Sequence, residues 1–474
     1  MLARIRKKVA KRYPWLVPIY RSINRRYCRM KATVSSRLPR TKFLFHQFWD
    51  WRRFYFGNMD DPNSITSLRT IISKDNERDD SPSSRPRFVV VTHALSAGGA
   101  ERQWCYLAKG LAAKGYTVDL LVLDLDGDNR HYLHLLAGTS VQIHSLKTFT
   151  MPADMPTLTP GLALPFPVTH LAFAFATLKP THILCQLDSI NLHSGIAALI
   201  SGVPFQKLLF SFRNFNPTNF PHFYYPWMLD YYKEFCLSRR LVLSGNTKAG
   251  NDNYAEWIGI APDSVYHTPN ALVSPTKLQT NRDEVRRTLN IDRNALLIIG
   301  VFRLAPEKNP KLFVDVIARL RADFPALKVL HLGNGAAATA IKNYASMKDL
   351  GDVIHFLGNR NDSLDLIAAS DLLLLCSNFE GLPNVVLEAQ SIGVPVVATR
   401  AGGATAEAML DGESGFLADI GDENALVNHA ARLLGDAELR QKMGATGRDF
   451  VRRTFTMDRF CETVLSAVDV NTQN

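Results

Sequence analysis

Two glutamates and two cations in the C-terminal half carry the strongest chemical signal. Glu380 and Glu388 stand eight positions apart in the run Phe379-Glu380-Gly381-Leu382-Pro383-Asn384-Val385-Val386-Leu387-Glu388. Glu380 falls in the loop that leaves an apolar run at 371–376, and Pro383 suits the first turn of the helix that follows. Glu388 then sits about one turn inside that helix. The two carboxylates flank a helix N-terminus whose backbone N–H groups, from Gly381 to Asn384, are free to attract an anion. A sugar nucleotide needs such an arrangement, with phosphates at the N–H groups, ribose on one carboxylate and sugar hydroxyls on the other. Arg303 and Lys308, five apart across another strand-to-helix loop, supply two cations for the same phosphates. They would neutralise charge developing on a departing diphosphate without a metal. Two solvated acids are the plainer reading of the glutamates, and the two cations weigh against it.

These residues need elements to position them. Residues 88–91 read as a strand with Thr92 and His93 at its end, followed by the loop Ser96-Ala97-Gly98-Gly99-Ala100-Glu101. An apolar helical period follows through Trp104, Leu107, Ala108, Leu111 and Ala112, stopped at Gly115, and then a strand at 118–123. Strand, glycine loop, helix and strand open a doubly wound α/β domain. Gly98 and Gly99 allow backbone N–H groups to approach an anion; a purely structural tight turn explains them equally well. Further strands are expected at 182–187 and 208–212, the second leading into Arg213. The pattern restarts with a strand at 296–301, the loop carrying Arg303 and Lys308, and a helix through Leu312. Strands then follow at 329–332 (ending at Gly333-Asn334-Gly335), 353–356, 371–376 and 394–398. Two α/β wheels joined near 272–290 leave a cleft between domains, a common place for a ligand.

Four segments together resemble the retaining glycosyltransferases of family 4, with the GT-B fold. They are Glu380 to Glu388 within its loop and helix, Arg303 to Lys308, the Gly98-Gly99-Ala100-Glu101 loop, and Gly402-Gly403 ahead of Glu407 and Asp411-Gly412-Glu413-Ser414-Gly415. The resemblance spans about residues 88–455. It implies transfer of a sugar from a nucleotide diphosphate with retention at the anomeric carbon and no metal or other cofactor. Arg303 and Lys308 would hold the diphosphate and act with Glu380, which engages the donor sugar. Glu388 would take the ribose and the backbone at Gly381-Leu382 the phosphates, with Pro383, Asn384, Gly333 and Gly335 completing the donor side. The first domain would bind the acceptor, with Gly98, Gly99, His93, Asp188 and Arg213 on that side. Many relatives carry a His where Ser211-Phe212-Arg213-Asn214 stands here. Arg213 either meets an anionic phosphate or acceptor or forms a structural ion pair, and it cannot act as a base at neutral pH. Gly403 to Glu407 runs one residue longer than usual, which leaves the role of Glu407 open.

Composition bounds these readings. At 474 residues about two or three domains are expected, and 46% hydrophobic with 21% charged residues is an ordinary globular balance. No window offers ~20 uninterrupted apolar residues to span a membrane. Six scattered cysteines (Cys28, Cys105, Cys185, Cys236, Cys376, Cys461) form neither a disulfide framework nor a zinc site and fit a reducing cytosol. Asp124, Asp126 and Asp128 suit a turn better than a metal site. The net charge of +11 belongs to the start of the chain, where residues 1–53 hold 16 Lys/Arg and one acid; the remainder is slightly acidic, which argues against a nucleic-acid partner. Basic and aromatic side chains interleave through residues 1–56, a composition suited to an anionic membrane surface, with a solvated basic arm as the alternative.

The expected layout is a leader at 1–74, a linker at 75–87, an acceptor-binding domain at 88–275, a donor-binding domain at 276–455 and a C-terminal helix and tail at 456–474. The expected protein is cytoplasmic and peripheral on the inner face of the plasma membrane, with a glycan or lipid-linked acceptor. Two rivals use the same fold: a sugar-nucleotide epimerase or hydrolase, and a non-catalytic membrane-bound partner that binds sugar nucleotides.

Overall fold

Thirteen strands among the described residues make two sheets, and every pairing within them is parallel. The computed structural model describes residues 62–77, 85–149, 166–220, 224–273 and 280–470. Of its two compact units, the larger comprises Met59–Leu162 and Pro167–Asn474 and holds both sheets. The basic segment 1–56, and with it the expected membrane contact, lies outside the described residues.

The first sheet contains β1 (Arg87–Thr92), β2 (Thr117–Val122), β3 (Gln142–Ser145), β4 (His182–Gln186), β5 (Lys207–Phe212), β6 (Leu241–Gly245) and β7 (Val265–His267), in the order β3-β2-β1-β4-β5-β6-β7. The second contains β8 (Leu297–Val301), β9 (Lys328–Leu332), β10 (Ile354–Gly358), β11 (Leu372–Leu375), β12 (Val396–Thr399) and β13 (Gly415–Ala418), in the order β10-β9-β8-β11-β12-β13. Central strands such as Val89-Val90-Val91 and Leu372 to Leu375 are buried throughout. Such continuous apolar runs are what a parallel sheet covered on both faces requires. Both wheels anticipated from the sequence are therefore present. The strands β3, β6, β7 and β13 were not anticipated, because short runs mixed with polar residues carry no clear period.

The strand order reverses between β1 and β4 in one sheet and between β8 and β11 in the other. At such switch points the loops leave in opposite directions and open a crevice beyond the carboxyl ends of the strands. Arg303 follows β8 and Glu380 follows β11, so the second switch point brings together residues that lie far apart in sequence.

The helices used below are α1 (Pro62–Asn76), α2 (Gly99–Ala113), α3 (Asp188–Ile200), α4 (Trp227–Phe235), α5 (Lys248–Ile258), α6 (Pro310–Asp323), α7 (Asn384–Ser391) and α8 (Met457–Ala467). Helix α1 falls where the leader and linker were expected to meet, and it packs on α3 and α4 of the first domain. Arg69 donates from Nε to Glu234 at 2.8 Å. Asp75 pairs with Arg240 at 2.9 Å, and both side chains are buried. Residue 75 thus lies in the last turn of a docked helix rather than at the start of a linker. At the other end of the chain, α8 returns from the second domain to lie against α2. There Phe460, Val464 and Leu465 join the core of the first domain, each burial contributing about 1.5–3 kcal/mol.

Candidate active site

The loop after β8 and the loop after β11 meet at the second switch point. Lys308 ends a short 3-10 turn, Pro306–Lys308, and its Nζ lies 2.6 Å from Oε2 of Glu380. The other oxygen of Glu380 accepts from the Ser377 hydroxyl at 2.6 Å. Glu380 is thus held at both oxygens, by a cation and by a residue of its own loop. The backbone N–H of Asn378 donates to the Glu307 carbonyl at 2.8 Å and ties the two loops together. Arg303 is more exposed and pairs with Glu307 at 2.7 Å.

Gly333 and Gly335 support the Arg303 loop through backbone proximity. A Cβ on Gly333 would stand 2.1 Å from the Phe302 carbonyl oxygen, and one on Gly335 2.4 Å from that of Leu304. The Leu304 N–H reaches the Asn334 carbonyl at 3.0 Å. Both glycines allow the loop after β9 to lie flat against residues 302–304.

Helix α7 begins at Asn384, with Pro383 just before its first turn as N-cap. Glu388 lies about one turn in, as the spacing implied. Among the described residues, the backbone N–H groups of Gly381 and Leu382 donate to no protein acceptor. Gly381 is required by a close approach: a Cβ there would fall 2.1 Å from the Arg213 carbonyl oxygen. The side chain of Asn384 bridges the domains. Its oxygen accepts from Asn270 at 2.8 Å and Gln103 at 3.2 Å, and its amide donates to the Gly99 carbonyl at 3.3 Å. Glu388 also reaches the first domain, where it forms an ion pair with Arg102.

The acceptor-side candidates separate into distinct tasks. Arg213 is buried, with its guanidinium 4.5 Å from the centre of the Trp104 ring. It donates to the Asn270 side chain at 3.0 Å, while among the described residues its Nε and Nη2 have no hydrogen-bond partner. Among the described residues no carboxylate pairs with it, so the structural ion pair is not found there. Burial pushes its pKa down to about 9, which still leaves a cation at neutral pH. Asn270 also donates to the Leu382 carbonyl at 3.2 Å, so Arg213 bears indirectly on the loop before α7.

Asp188 opens α3 and accepts from the Tyr232 hydroxyl at 2.7 Å and the Tyr254 hydroxyl at 2.9 Å. Burial raises its pKa, against the opposing effect of those two hydrogen bonds. This structural task inside the first domain was not anticipated. His93 follows β1 with an exposed side chain. Over the Gly98-Gly99 loop lies the Glu101 side chain: a Cβ on Gly98 would sit 2.0 Å from its Oε2. Asp124 accepts from Asn129 at 2.8 Å, and Asp126 pairs with Lys147, as a turn would arrange them. The carboxylate of Glu407 accepts the backbone N–H groups of Lys248 and Ala249 at the start of α5.

The sequence reading did not single out Arg102, Gln103, Asn270 or Ser377. The first two directly follow Gly98-Gly99-Ala100-Glu101, where one helical turn carries neighbouring side chains toward whatever faces the loop. Asn270 has no comparable local signal.

Residues 281–450 match the family model described as glycosyl transferases group 1. The Vi polysaccharide biosynthesis protein VipC/TviE of Salmonella typhi is 25% identical over 417 residues, covering 81% of this chain and 71% of that protein. An Escherichia coli UDP-Gal:alpha-D-GlcNAc-diphosphoundecaprenol alpha-1,3-galactosyltransferase is 26% identical, over 60% of this chain and 75% of its own. The match to the N-acetyl-alpha-D-glucosaminyl L-malate synthase of Bacillus anthracis reaches 30% identity but spans 37% of this chain and 46% of the synthase. In structure, the chain resembles Anabaena Alr3699/HepE, crystallised with UDP and glucose, with a TM-score of 0.66 and 19% identity over 81% of this chain and 100% of that one. It also resembles WaaG, a glycosyltransferase involved in lipopolysaccharide biosynthesis, with a TM-score of 0.59 and 15% identity over 81% of this chain and 99% of that one. The chain therefore has the GT-B fold, and its residues 281–450, which carry Arg303, Lys308, Glu380 and Glu388, match the model of the glycosyl transferases group 1.

Proposed function

We propose that the protein is a retaining, metal-independent glycosyltransferase that moves a sugar from a UDP-sugar to a lipid-linked or membrane-held glycan in cell-surface polysaccharide synthesis. The observation that carries this reading is the cluster of Lys308, Glu380 and Ser377 beside the N–H groups of Gly381 and Leu382, with Arg303 and Glu388 on either side. In the proposed reaction the bond between the sugar's anomeric carbon and the diphosphate oxygen breaks. The acceptor hydroxyl oxygen bonds to that carbon on the same face, and its proton passes to the departing phosphate. Lys308, Arg303 and the N–H groups at the start of α7 stabilise the growing negative charge, as preorganised donors do. Glu380 binds the sugar hydroxyls and Glu388 the ribose.

Uridine is favoured because UDP is present in the Anabaena structure and named in the Escherichia coli relative. A lipid-linked acceptor is favoured by that relative's diphosphoundecaprenol substrate and by the basic, aromatic residues 1–56. Among the described residues no helix is long and apolar enough to cross a membrane; the proposed contact with the inner face of the plasma membrane is made by the basic, aromatic residues 1–56.

Thermal unfolding against UDP, GDP, ADP and CMP tests the donor site. Ligand at about 100 times its dissociation constant should add about 2.7 kcal/mol, for UDP and not CMP, and Glu388→Ala should diminish the gain. No stabilisation of the folded protein by any nucleoside diphosphate would overturn the reading. Transfer to undecaprenyl-diphosphate glycans in the presence of EDTA, with the product's anomeric configuration read by NMR, tests acceptor, metal independence and retention.

A further inference from the structure

Arg102 stands in the first turn of α2, in the first domain, and Glu388 in α7 of the second, 286 positions apart. Nη2 of Arg102 meets Oε1 of Glu388, and the side chains are 22% and 8% exposed. The pair belongs to a band of three contacts between two short stretches of chain. Gly99 accepts from Asn384, Gln103 donates to Asn384, and Arg102 between them takes Glu388. One helical turn of the first domain therefore sets the orientation of one helical turn of the second. Among the described residues, Oε2 of Glu388 accepts no hydrogen bond. Arg102 also keeps a buried Nε without a partner. Burial by itself would lower the pKa of Arg102, but the facing charge of Glu388, with smaller effects from Tyr132 and Tyr106, raises it above its ordinary value. The guanidinium is therefore a permanent cation.

We propose that Arg102 is a positioning residue of the donor site, holding Glu388 by Oε1 so that Oε2 is aimed at the ribose hydroxyls. This rests on the reading of Glu388 as the ribose acceptor. A buried carboxylate without a partner rotates among rotamers and draws in water, whereas the grip of a rigid guanidinium on one oxygen leaves the other in a fixed place. The nucleotide site is then shared between domains, and the first domain controls nucleotide affinity through a residue that does not touch the base or the phosphates.

Calorimetric titration of the full chain with UDP and with 2′,3′-dideoxy-UDP tests this. For the wild type, loss of the ribose hydroxyls should weaken binding by about tenfold or more. In Arg102→Gln, UDP should bind about tenfold more weakly while dideoxy-UDP changes by less than about twofold. The double variant with Glu388→Gln should lose little beyond either single change. Arg102→Lys keeps the charge but not the fork and should fall between wild type and Arg102→Gln; it carries the same test if the glutamine variant does not fold. Equal weakening for both ligands would overturn the proposal, since Arg102 would then act on the diphosphate or on the fold. Unchanged UDP affinity in the variants would also overturn it and leave the functional reading intact. A wild type that binds neither nucleotide would overturn the functional reading and this inference with it.

Discussion

Glu407 of the second domain caps a helix of the first, accepting the backbone N–H of Lys248 at 2.8 Å and that of Ala249 at 2.9 Å. The first N–H groups of a helix have no partner within it and carry its positive end. Thr247, the N-cap of α5, accepts from Gly250 at 3.1 Å, so Glu407 completes the cap from across the cleft. Glu407→Ala should cost about 1–2 kcal/mol in urea unfolding, in the range of a lost N-cap. Glu407→Gln keeps one acceptor oxygen and should cost less. Equal losses for the two variants would mean that the carboxylate is not acting as a cap.

Arg213 is a buried cation, two of whose nitrogens have no hydrogen-bond partner among the described residues, which is costly unless the site needs its charge. Replacing a buried charge with an apolar side chain of similar length is often neutral or stabilising. Arg213→Met should therefore raise the unfolding free energy by about 1 kcal/mol while lowering sugar transfer. A variant that is both less stable and fully active would contradict this account.

Lys308 and Glu380 are largely buried and paired at 2.6 Å. Removing one preorganised donor to a developing anion commonly lowers kcat by about 100-fold or more. Lys308→Met should do so and should also weaken UDP binding. Glu380→Gln leaves the Ser377 contact possible and, if the proposed contact of Glu380 is with the sugar, should lower kcat with a smaller effect on UDP affinity. Comparing UDP with the UDP-sugar in calorimetry separates the two.

Asp188 should leave a mark on the dependence of stability on pH. Burial raises its folded pKa above the unfolded value near ~4, so within that window the folded protein binds more protons than the unfolded chain. Its contribution is complete below the unfolded pKa and is lost as pH rises through the folded one. Asp188→Asn still offers an oxygen to Tyr232 and Tyr254 but does not titrate. The difference in unfolding free energy, variant minus wild type, should therefore increase from about pH 4 toward neutrality. A flat difference would show that Asp188 does not carry the effect.

The buried pair of Asp75 and Arg240 predicts where the chain tolerates truncation. Removing residues 1–61 should leave stability and UDP binding unchanged while reducing sedimentation with anionic vesicles at low salt. Removal through residue 76 also deletes α1 and breaks the buried Asp75–Arg240 pair, and should cost about 3 kcal/mol or more. Unchanged vesicle binding after the shorter truncation would rule out residues 1–61 as the membrane contact.

Local order in the sequence was enough to determine the two α/β wheels and the placement of Arg303, Lys308, Glu380 and Glu388 near one cleft. Strand, loop and helix succeed one another over short stretches, and their apolar periods show where each loop leaves the sheet. Gly381 could be read as part of an anion site, but its need to lack a side chain comes from Arg213 on the other domain. The position of Asp188 after a strand is legible in the sequence, but its hydrogen bonds to Tyr232 and Tyr254 come from two later helices. Residue 75 reads as the start of a linker in the sequence, and only the packing of α1 puts Arg240 beside it. Arg102 with Glu388, and Glu407 with the N-terminus of α5, join partners 286 and 159 positions apart. Such pairings carry no period for a local pattern to reveal. They exist only once both sheets are formed and packed, because the relative placement of two rigid wheels, not the spacing along either one, decides which side chains meet across the cleft.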